Sequence, residues 1–272
     1  MRLRLSVRLP RKRHRLSILA AAALVAIGAY WYGVPGVLPP RDVPVFEHIT
    51  VAARGTEMPV FYVKTDRKMV ALTFDISWGT KTPELVLPIL KQHNQKATFF
   101  LSGPWAAKHE RIVKAIVNDG HEIASHGHEH INLSQCGKDR VTANISRADE
   151  ILRRVSGQKM RFFRPPNGDY DDVVVGAARD LGYETIIWSV DSLDWKNPGA
   201  DYMVKRVVDL AFPGAILLCH ASDSSKQIHL ALPGILQGLK TKGYEIVTLG
   251  ELWRVGTPGR DDPRGRAKPT ED

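Results

Sequence analysis

Short apolar segments alternate with helix-like segments along most of the chain, and this alternation constrains the fold more than any other feature. The strand-like segments are 69–74, 97–101, 122–125, 160–163, 185–190, 215–219 and 245–249. Strands that alternate with helices pair in parallel through crossover connections. Seven strands within about 190 residues predict an α/β fold, a distorted seven-stranded TIM-like (β/α) barrel. An open doubly wound sheet is the alternative arrangement of the same elements.

Polar side chains follow five of these strands, at the point where each strand ends. In chain order they are Asp75, His126, Arg164, Asp191 and His220, and a further histidine, His130, follows the first one at a spacing of four. The carboxyl ends of parallel barrel strands meet at one face, where such barrels carry their active sites. Packing alone does not explain charged side chains in five such places, because buried charges need partners. We therefore expect these side chains to form one site.

His126 and His130 form a His-x-x-x-His pair. Alone, the pair is a weak signal, since two solvent-facing histidines on a helix would give the same pattern. Neutral imidazoles suit zinc and other first-row divalent metals, and a catalytic metal site keeps an open position for water. In the company of two acids, a guanidinium and a third histidine, the pair indicates metal binding.

Five segments resemble, in order, the five motifs of the polysaccharide deacetylases, also called the NodB-homology or carbohydrate esterase 4 family. The segments are TFD at 73–75, HxxxH at 126–130, RPPNG at 164–168, DSLDW at 191–195 and LCH at 218–220. More narrowly, FDISWG at 74–79, DWKNPG at 194–199 and HASDS at 220–224 resemble the sporulation-associated PdaB-like branch. The resemblance implies a metal-dependent hydrolase that removes N-acetyl groups from an amino-sugar polymer.

The resemblance assigns His126 and His130 to a divalent metal, zinc in the first place, with cobalt, nickel or manganese as alternatives. Such a metal polarises a carbonyl and lowers the pKa of bound water toward about 7. Asp75 is the implied general base. Arg164 is implied to orient Asp75 and to keep it ionised.

The remaining motif residues have implied roles around the acetamide. His220 is the implied general acid, with Asp191 holding its tautomer and favouring its cation. The backbone N–H of Asn167 is implied to bind the oxyanion. Leu218 is expected to receive the acetyl methyl and Trp195 to form a wall against a sugar ring, although simple core packing explains these two residues equally well.

The first motif departs from the family at Ile76. The family usually has two adjacent aspartates there, the base and a metal ligand, and isoleucine cannot ligate a metal. Three outcomes are open: water or substrate fills the position, Asp75 turns to the metal, or the protein binds glycan without catalysis. The other site residues favour an enzyme, because a mere binder has no evident need for them.

The N-terminus concentrates the positive charge, since a basic arm at 1–15 supplies most of the formal net charge of +9. An uncharged apolar run at 16–34 follows, long enough to cross a bilayer as a helix. These features predict an uncleaved single-pass anchor in the cell membrane, with the arm in the cytoplasm and the remainder outside. The anchor argues against a cytoplasmic enzyme of small metabolites. We expect a proline-rich stalk at 35–58, the deacetylase domain at 59–255 and a disordered tail at 256–272.

Partners follow from the charge distribution and the resemblance. With its charge in the arm, the chain offers no basic face with interleaved aromatics, so nucleic acid is not an expected partner. The expected partner is an extracytoplasmic polysaccharide, with peptidoglycan favoured and chitin oligomers and poly-N-acetylglucosamine open. Cys136 and Cys219 are expected to be free thiols.

Overall fold

The structure is a computed structural model that describes residues 57–264. Its strands are β1 (Tyr62–Lys64), β2 (Met69–Ile76), β3 (Thr98–Leu101), β4 (Glu122–Ser125), β5 (Phe162–Phe163), β6 (Glu184–Thr185), β7 (Val190–Asp191), β8 (Ile216–His220), β9 (Glu245–Val247) and β10 (Thr257–Gly259). Its α-helices are α1 (Lys81–Gln92), α2 (Gly103–Lys108), α3 (Glu110–Asn118), α4 (Lys138–Ser156), α5 (Asp172–Asp180), α6 (Ala200–Leu210), α7 (Ile228–Thr241) and α8 (Leu249–Trp253).

One parallel sheet forms the centre of this part of the chain. Seven strands lie in the order β6-β5-β4-β3-β2-β8-β7, and β9 also pairs with β2. The two end strands, β6 and β7, are separated only by residues 186–189. Because a chain advances at most about 3.6 Å per residue, the sheet must curl until its ends lie close together. The predicted α/β fold with parallel strands is confirmed.

Val60 lies where the two ends of the sheet approach each other. Its N–H donates to the carbonyl of Thr185 at 2.8 Å, and its carbonyl accepts the N–H of Ile187 at 2.8 Å. The predicted strand at 185–190 is therefore present as two short strands, β6 and β7, because Val60 takes over the pairing between them. The other six predicted strands each correspond to one observed strand.

The expectation of a disordered tail from residue 256 is wrong for its first residues. Thr257–Gly259 form β10, which pairs antiparallel with β1, and the N–H of Phe61 donates to the carbonyl of Gly259 at 2.9 Å. Composition predicted disorder there because the segment is rich in proline, glycine and charge. Pairing with β1 supplies the backbone partners that composition does not reveal.

Strand β2 carries the predicted site residue Asp75 near its end. All eight of its residues are buried, as expected for a parallel strand covered on both faces. It pairs with β3, β8 and β9. The residues at its end therefore emerge from the most constrained part of the sheet.

The predicted basic arm, membrane anchor and nearly all of the stalk lie outside the described residues, as do residues 265–272. Between residues 57 and 264, no helix is both long enough and apolar enough to span a membrane.

Candidate active site

Two adjacent strands bring a carboxylate and an imidazole to the same edge of the sheet. Asp75 on β2 is the register partner of His220 on β8. The predicted convergence of strand-end residues therefore holds for this pair. Asp75 is only 5% exposed, so its charge depends on protein partners rather than on water.

Arg164 is the main partner of Asp75. Its Nη1 donates to Asp75 Oδ1 at 2.6 Å, and the guanidinium carbon lies 4.0 Å from the ring centre of Phe100. Burial alone would raise the pKa of Asp75, but the charge and hydrogen bond of Arg164, aided by the charge of His220, leave it below its ordinary value. The carboxylate is therefore ionised at neutral pH and held in one orientation, as a general base requires.

The backbone of Arg164 also fixes His126. The His126 Nδ1–H donates to the Arg164 carbonyl at 2.8 Å, which leaves Nε2 with its lone pair, 3.7 Å from Asp75 Oδ2. Burial lowers the pKa of His126 to about 4, against the opposing effect of Asp75. A neutral imidazole whose other nitrogen is held by a carbonyl is the usual state of a histidine metal ligand.

His130 lies beside His126, with ring centres 5.4 Å apart. Desolvation by the surrounding protein lowers the pKa of His130 as well, so both imidazoles are neutral near pH 7. His130 is nevertheless solvent-exposed, unlike His126. The pair thus offers a metal one buried ligand nitrogen, on His126, and one solvent-exposed ligand nitrogen, on His130.

The donor set fits a divalent metal held by two imidazoles, but it does not complete a shell. Across residues 57–264, no group of three or more His, Cys, Asp or Glu side chains is arranged to hold a metal ion. Ile76, where the family usually has a carboxylate, is fully buried in the hydrophobic core. His126 and His130 are therefore the residues that would hold a metal, with further positions left to water or substrate.

Asp194, rather than the predicted Asp191, binds the His220 imidazole. Asp194 Oδ1 lies 2.7 Å from His220 Nδ1, and its Oδ2 accepts the backbone N–H of His220 at 2.6 Å and the Ser225 hydroxyl at 2.9 Å. Asp194 is fully buried and is held by all three of these donors. Leu193 adopts a left-handed backbone, with φ of 58°, and this turn brings the second aspartate of the motif under the histidine.

The Asp194 carboxylate makes His220 an acid at neutral pH. Burial lowers the pKa of His220, but the charge of Asp194 and its hydrogen bond outweigh burial and raise the pKa to about 9. The imidazole is then protonated, with Nδ1–H committed to Asp194 and Nε2–H available. A proton held this way suits donation to a departing amine.

Asp191 does not bind the imidazole, but its charge also helps to raise the pKa of His220, less than that of Asp194 does. Its Oδ1 accepts the Leu193 N–H at 2.7 Å, and the Trp195 side chain also hydrogen bonds its carboxylate. Burial raises the pKa of Asp191. Asp191 therefore supports the turn that positions Asp194 and Trp195.

Asn167 occupies a left-handed conformation, with φ of 59°, that asparagine tolerates better than most residues. Its side-chain amide donates to Asn132 Oδ1 at 2.8 Å. Nearby, Asp169 accepts the backbone N–H and the hydroxyl of Ser134 at 2.7 and 2.8 Å. These bonds join the loops after β4 and β5. Asn132 and Asp169 carried no sequence signal that pointed to this function.

Leu218 and Trp195 lie near the acid. Leu218 is buried on β8, directly opposite Asp191 in the pairing with β7. Trp195 is half-buried, and Lys196 Nζ lies 4.8 Å from its ring centre. Their roles toward an acetyl group and a sugar ring stay predictions.

Comparison with known proteins identifies related sequences. The polysaccharide deacetylase family model matches residues 62–186. The chain is 34% identical over 250 residues to a peptidoglycan-N-acetylglucosamine deacetylase of Bacillus cereus, covering 86% of this chain and 90% of that one. It is 32% identical over 194 residues to the uncharacterized protein YlxY of Bacillus subtilis, covering 71% of this chain but only 60% of YlxY. The narrower resemblance to the PdaB-like branch stays a prediction.

Solved structures give a parallel result. The chain is similar to wild-type BA3943 of Bacillus anthracis, described as a carbohydrate esterase 4 pseudoenzyme, with a TM-score of 0.69, 35% identity, and coverage of 73% of this chain and 69% of that chain. A BA3943 mutant described as having restored enzymatic activity matches with the same TM-score, 36% identity, and coverage of 73% and 72%.

Proposed function

The chain belongs to the polysaccharide deacetylase family, and we propose that it hydrolyses N-acetyl groups of amino-sugar residues in an extracytoplasmic polysaccharide. The observation that carries the proposal is the pairing of two opposed groups on adjacent strands. Asp75 is held ionised by Arg164, and His220 is held protonated by Asp194. Two titratable groups whose environments push their pKa values apart are the usual sign of an acid and a base that act together.

In this mechanism the two groups move one proton each. Asp75 takes a proton from the attacking water as its oxygen bonds to the acetamide carbon. The backbone N–H of Asn167 stabilises the negative oxygen of the tetrahedral intermediate. His220 donates its Nε2 proton to the nitrogen as the C–N bond breaks, and the products are acetate and a free amine.

His126 and His130 are the proposed ligands of a divalent metal, zinc being favoured, which would supply Lewis acidity at the carbonyl when bound. The neutral state of both imidazoles supports this assignment. Arg164 links the metal ligands to the base, because its side chain holds Asp75 and its carbonyl holds His126. One residue thus sets the relative placement of two functions.

Peptidoglycan is the favoured substrate. The similarity to a peptidoglycan-N-acetylglucosamine deacetylase over nearly the full length of both chains supports it. The predicted membrane anchor, which would hold the domain outside the cytoplasm, supports it too. Chitin oligomers and poly-N-acetylglucosamine are alternative substrates with the same acetamide group.

Acetate release tests the proposal. The full chain is incubated with purified peptidoglycan and, separately, with chitin pentasaccharide, with added zinc or with a chelator. We expect zinc-dependent release of acetate and an equal appearance of free amines. Asp75→Asn should abolish release, since an amide cannot accept the water's proton. Release that is equal in the wild type and Asp75→Asn would contradict the mechanism.

A glycan-binding protein without catalysis is the second candidate, favoured by Ile76. The buried isoleucine offers no ligand where the family usually has one, and a related structure is described as a pseudoenzyme. This candidate predicts saturable binding of chitin pentasaccharide without acetate release at any zinc concentration. The same acetate assay therefore separates the two functions.

A further inference from the structure

Trp78 presents a large apolar side chain to solvent, with 55% of its surface exposed. Single exposed apolar side chains are common and need no explanation by themselves. Trp78 differs from an ordinary surface residue in two respects. Backbone hydrogen bonds hold the chain on both sides of it, and its turn joins the loop after the strand of the base to the loop after the strand of the acid.

The turn after Trp78 has no room to change. Gly79 adopts φ of +78°, and a Cβ there would lie 2.2 Å from Asp223 Cγ. The Asp223 carboxylate accepts the N–H of Thr80 at 3.2 Å and that of Thr82 at 2.8 Å, at the start of α1. This arrangement requires glycine at position 79 and fixes the chain directly after the tryptophan.

A second set of contacts holds the same turn. The Trp105 indole N–H donates to the Gly79 carbonyl at 2.7 Å, and Trp105 is itself 3% exposed. The backbone N–H of Ser77, just before Trp78, donates to the Ser222 hydroxyl at 2.9 Å. The exposed indole is therefore carried on a backbone that is already ordered, so a ligand that stacks on it pays little to order the backbone.

The position of this turn places Trp78 at the rim of the proposed active site. Trp78 follows Asp75 by three residues, and Asp223 follows His220 by three residues. Asp75 and His220 are partners in the pairing of β2 with β8. The contacts of Ser222 and Asp223 with the Trp78 turn join the loops that leave these two strands.

We propose that Trp78 forms a second sugar-binding position, in which its indole stacks on a pyranose ring next to the ring that loses its acetyl group. The inference rests on the proposed function, because it takes the occupant to be the same acetamido-sugar polymer. The apolar face of a pyranose matches a rigid indole, which supplies a large contact area with few torsions to immobilise. A chain of linked sugars is the ligand whose next ring would lie at the rim when one ring occupies the catalytic centre.

The test compares substrates of different length. Trp78→Ala, Trp78→Phe and wild type are assayed for acetate release on the single sugar N-acetylglucosamine, which has no adjacent ring, and on the pentasaccharide. We expect Trp78→Ala to raise KM for the pentasaccharide about three- to tenfold, and Trp78→Phe to recover most of that loss because a phenyl ring still stacks. Turnover of the single sugar, which cannot reach Trp78 from the catalytic centre, should stay unchanged. Leu181→Ala is the control, because it removes another exposed apolar side chain, just after the end of α5. It should change acetate release from neither substrate.

Binding without turnover separates this inference from the proposed function. Pentasaccharide affinity is measured by calorimetry on His220→Gln and on His220→Gln with Trp78→Ala. A weaker affinity in the double variant supports the sugar position even if no protein releases acetate. If the wild type releases acetate while Trp78→Ala matches it on both lengths and in affinity, the sugar position is wrong and the proposed function stands.

Discussion

His220 Nδ1 lies 2.7 Å from Asp194 Oδ1, so the second aspartate of the DSLDW segment, and not the first, holds the imidazole. Replacing each of the two aspartates by asparagine, in separate variants, tests this relationship. We expect Asp194→Asn to lower kcat about a hundredfold or more, because His220 loses the charge that keeps it protonated. Asp191→Asn should cost less, since Asp191 bonds the Leu193 N–H and the Trp195 side chain.

NMR titration of His220 provides the second measurement for this pair. The pKa of His220 should fall in Asp194→Asn and change less in Asp191→Asn. Circular dichroism on both variants controls for folding. A larger effect of Asp191→Asn on both the pKa and kcat would return the role to the first aspartate.

The pH dependence of turnover follows from the same pair. Asp194 raises the pKa of His220 to about 9 despite burial, so we expect kcat to fall as pH rises through about 9, when the acid loses its proton. The opposite limb belongs to Asp75, whose pKa is lowered, so the base is ionised throughout the neutral range. Measurement of kcat from pH 6 to pH 10 checks the alkaline limb. If kcat instead continues to rise above pH 9 or so, His220 is not the acid.

The free energy of unfolding should also fall as pH rises. The folded-state pKa of His220 lies above the ordinary histidine value of 6.5. The protonated pair therefore contributes its full stability below that ordinary value and loses it as pH rises through about 9. We expect the free energy of unfolding of the wild type to decline over this interval. In His220→Gln the decline should be smaller, and urea titrations at several pH values measure the difference.

Ile76→Asp tests whether the metal site lacks one ligand. Without metal, the variant should have a lower Tm than the wild type, because an unpaired carboxylate replaces a fully buried apolar side chain. Zinc should then raise the Tm of the variant by more than it raises that of the wild type, because the new carboxylate gains a cation as its partner. Calorimetric titration with zinc gives the affinity directly.

Ile76→Asn is the matched control, since it has a similar size without the charge. It should lose stability but gain less metal affinity than Ile76→Asp. Equal zinc shifts in the wild type and in Ile76→Asp would mean that residue 76 does not reach the two histidines. The glycan-binding function would then gain support.

Topology is the subject of a separate prediction. The uncharged run at 16–34 after a basic arm predicts a single-pass anchor with its N-terminus in the cytoplasm. External protease on intact spheroplasts should digest the deacetylase domain while a cytoplasmic marker survives. Full protection of the domain until the membrane is lysed would place it inside.

The sequence predicted the site best where a chemically suitable side chain lies at the end of a parallel strand. Asp75, Arg164 and His126 each lie at or just after the end of a strand, and parallel pairing brings such positions together whatever the details of the loops. The contact between the Arg164 carbonyl and His126 did not follow from the sequence, since any residue type supplies the same carbonyl. The types of side chain predicted the site, whereas the hydrogen bond from His126 to the Arg164 carbonyl depends on backbone geometry alone.

The misassigned aspartate shows why loops limit this kind of prediction. Asp191 ends β7 and therefore fits the strand-end rule, but Asp194 reaches His220 only because Leu193 adopts a left-handed conformation that leucine rarely takes. No local residue preference indicates that turn. Likewise, Val60 interrupts the strand predicted at 185–190 from more than a hundred residues away, and a local apolar pattern cannot reveal such a contact.

The position of Val60 has a practical consequence for anyone who wishes to express a soluble fragment. Cutting just before β1 would seem natural, because the first regular element starts at Tyr62. Such a cut would remove the backbone that bonds Thr185 and Ile187 and would leave this edge of the sheet without its partner. Unpaired strand edges recruit other chains, so that fragment should aggregate. A fragment that begins a few residues ahead of Val60 keeps the edge covered and is the better choice for crystallisation.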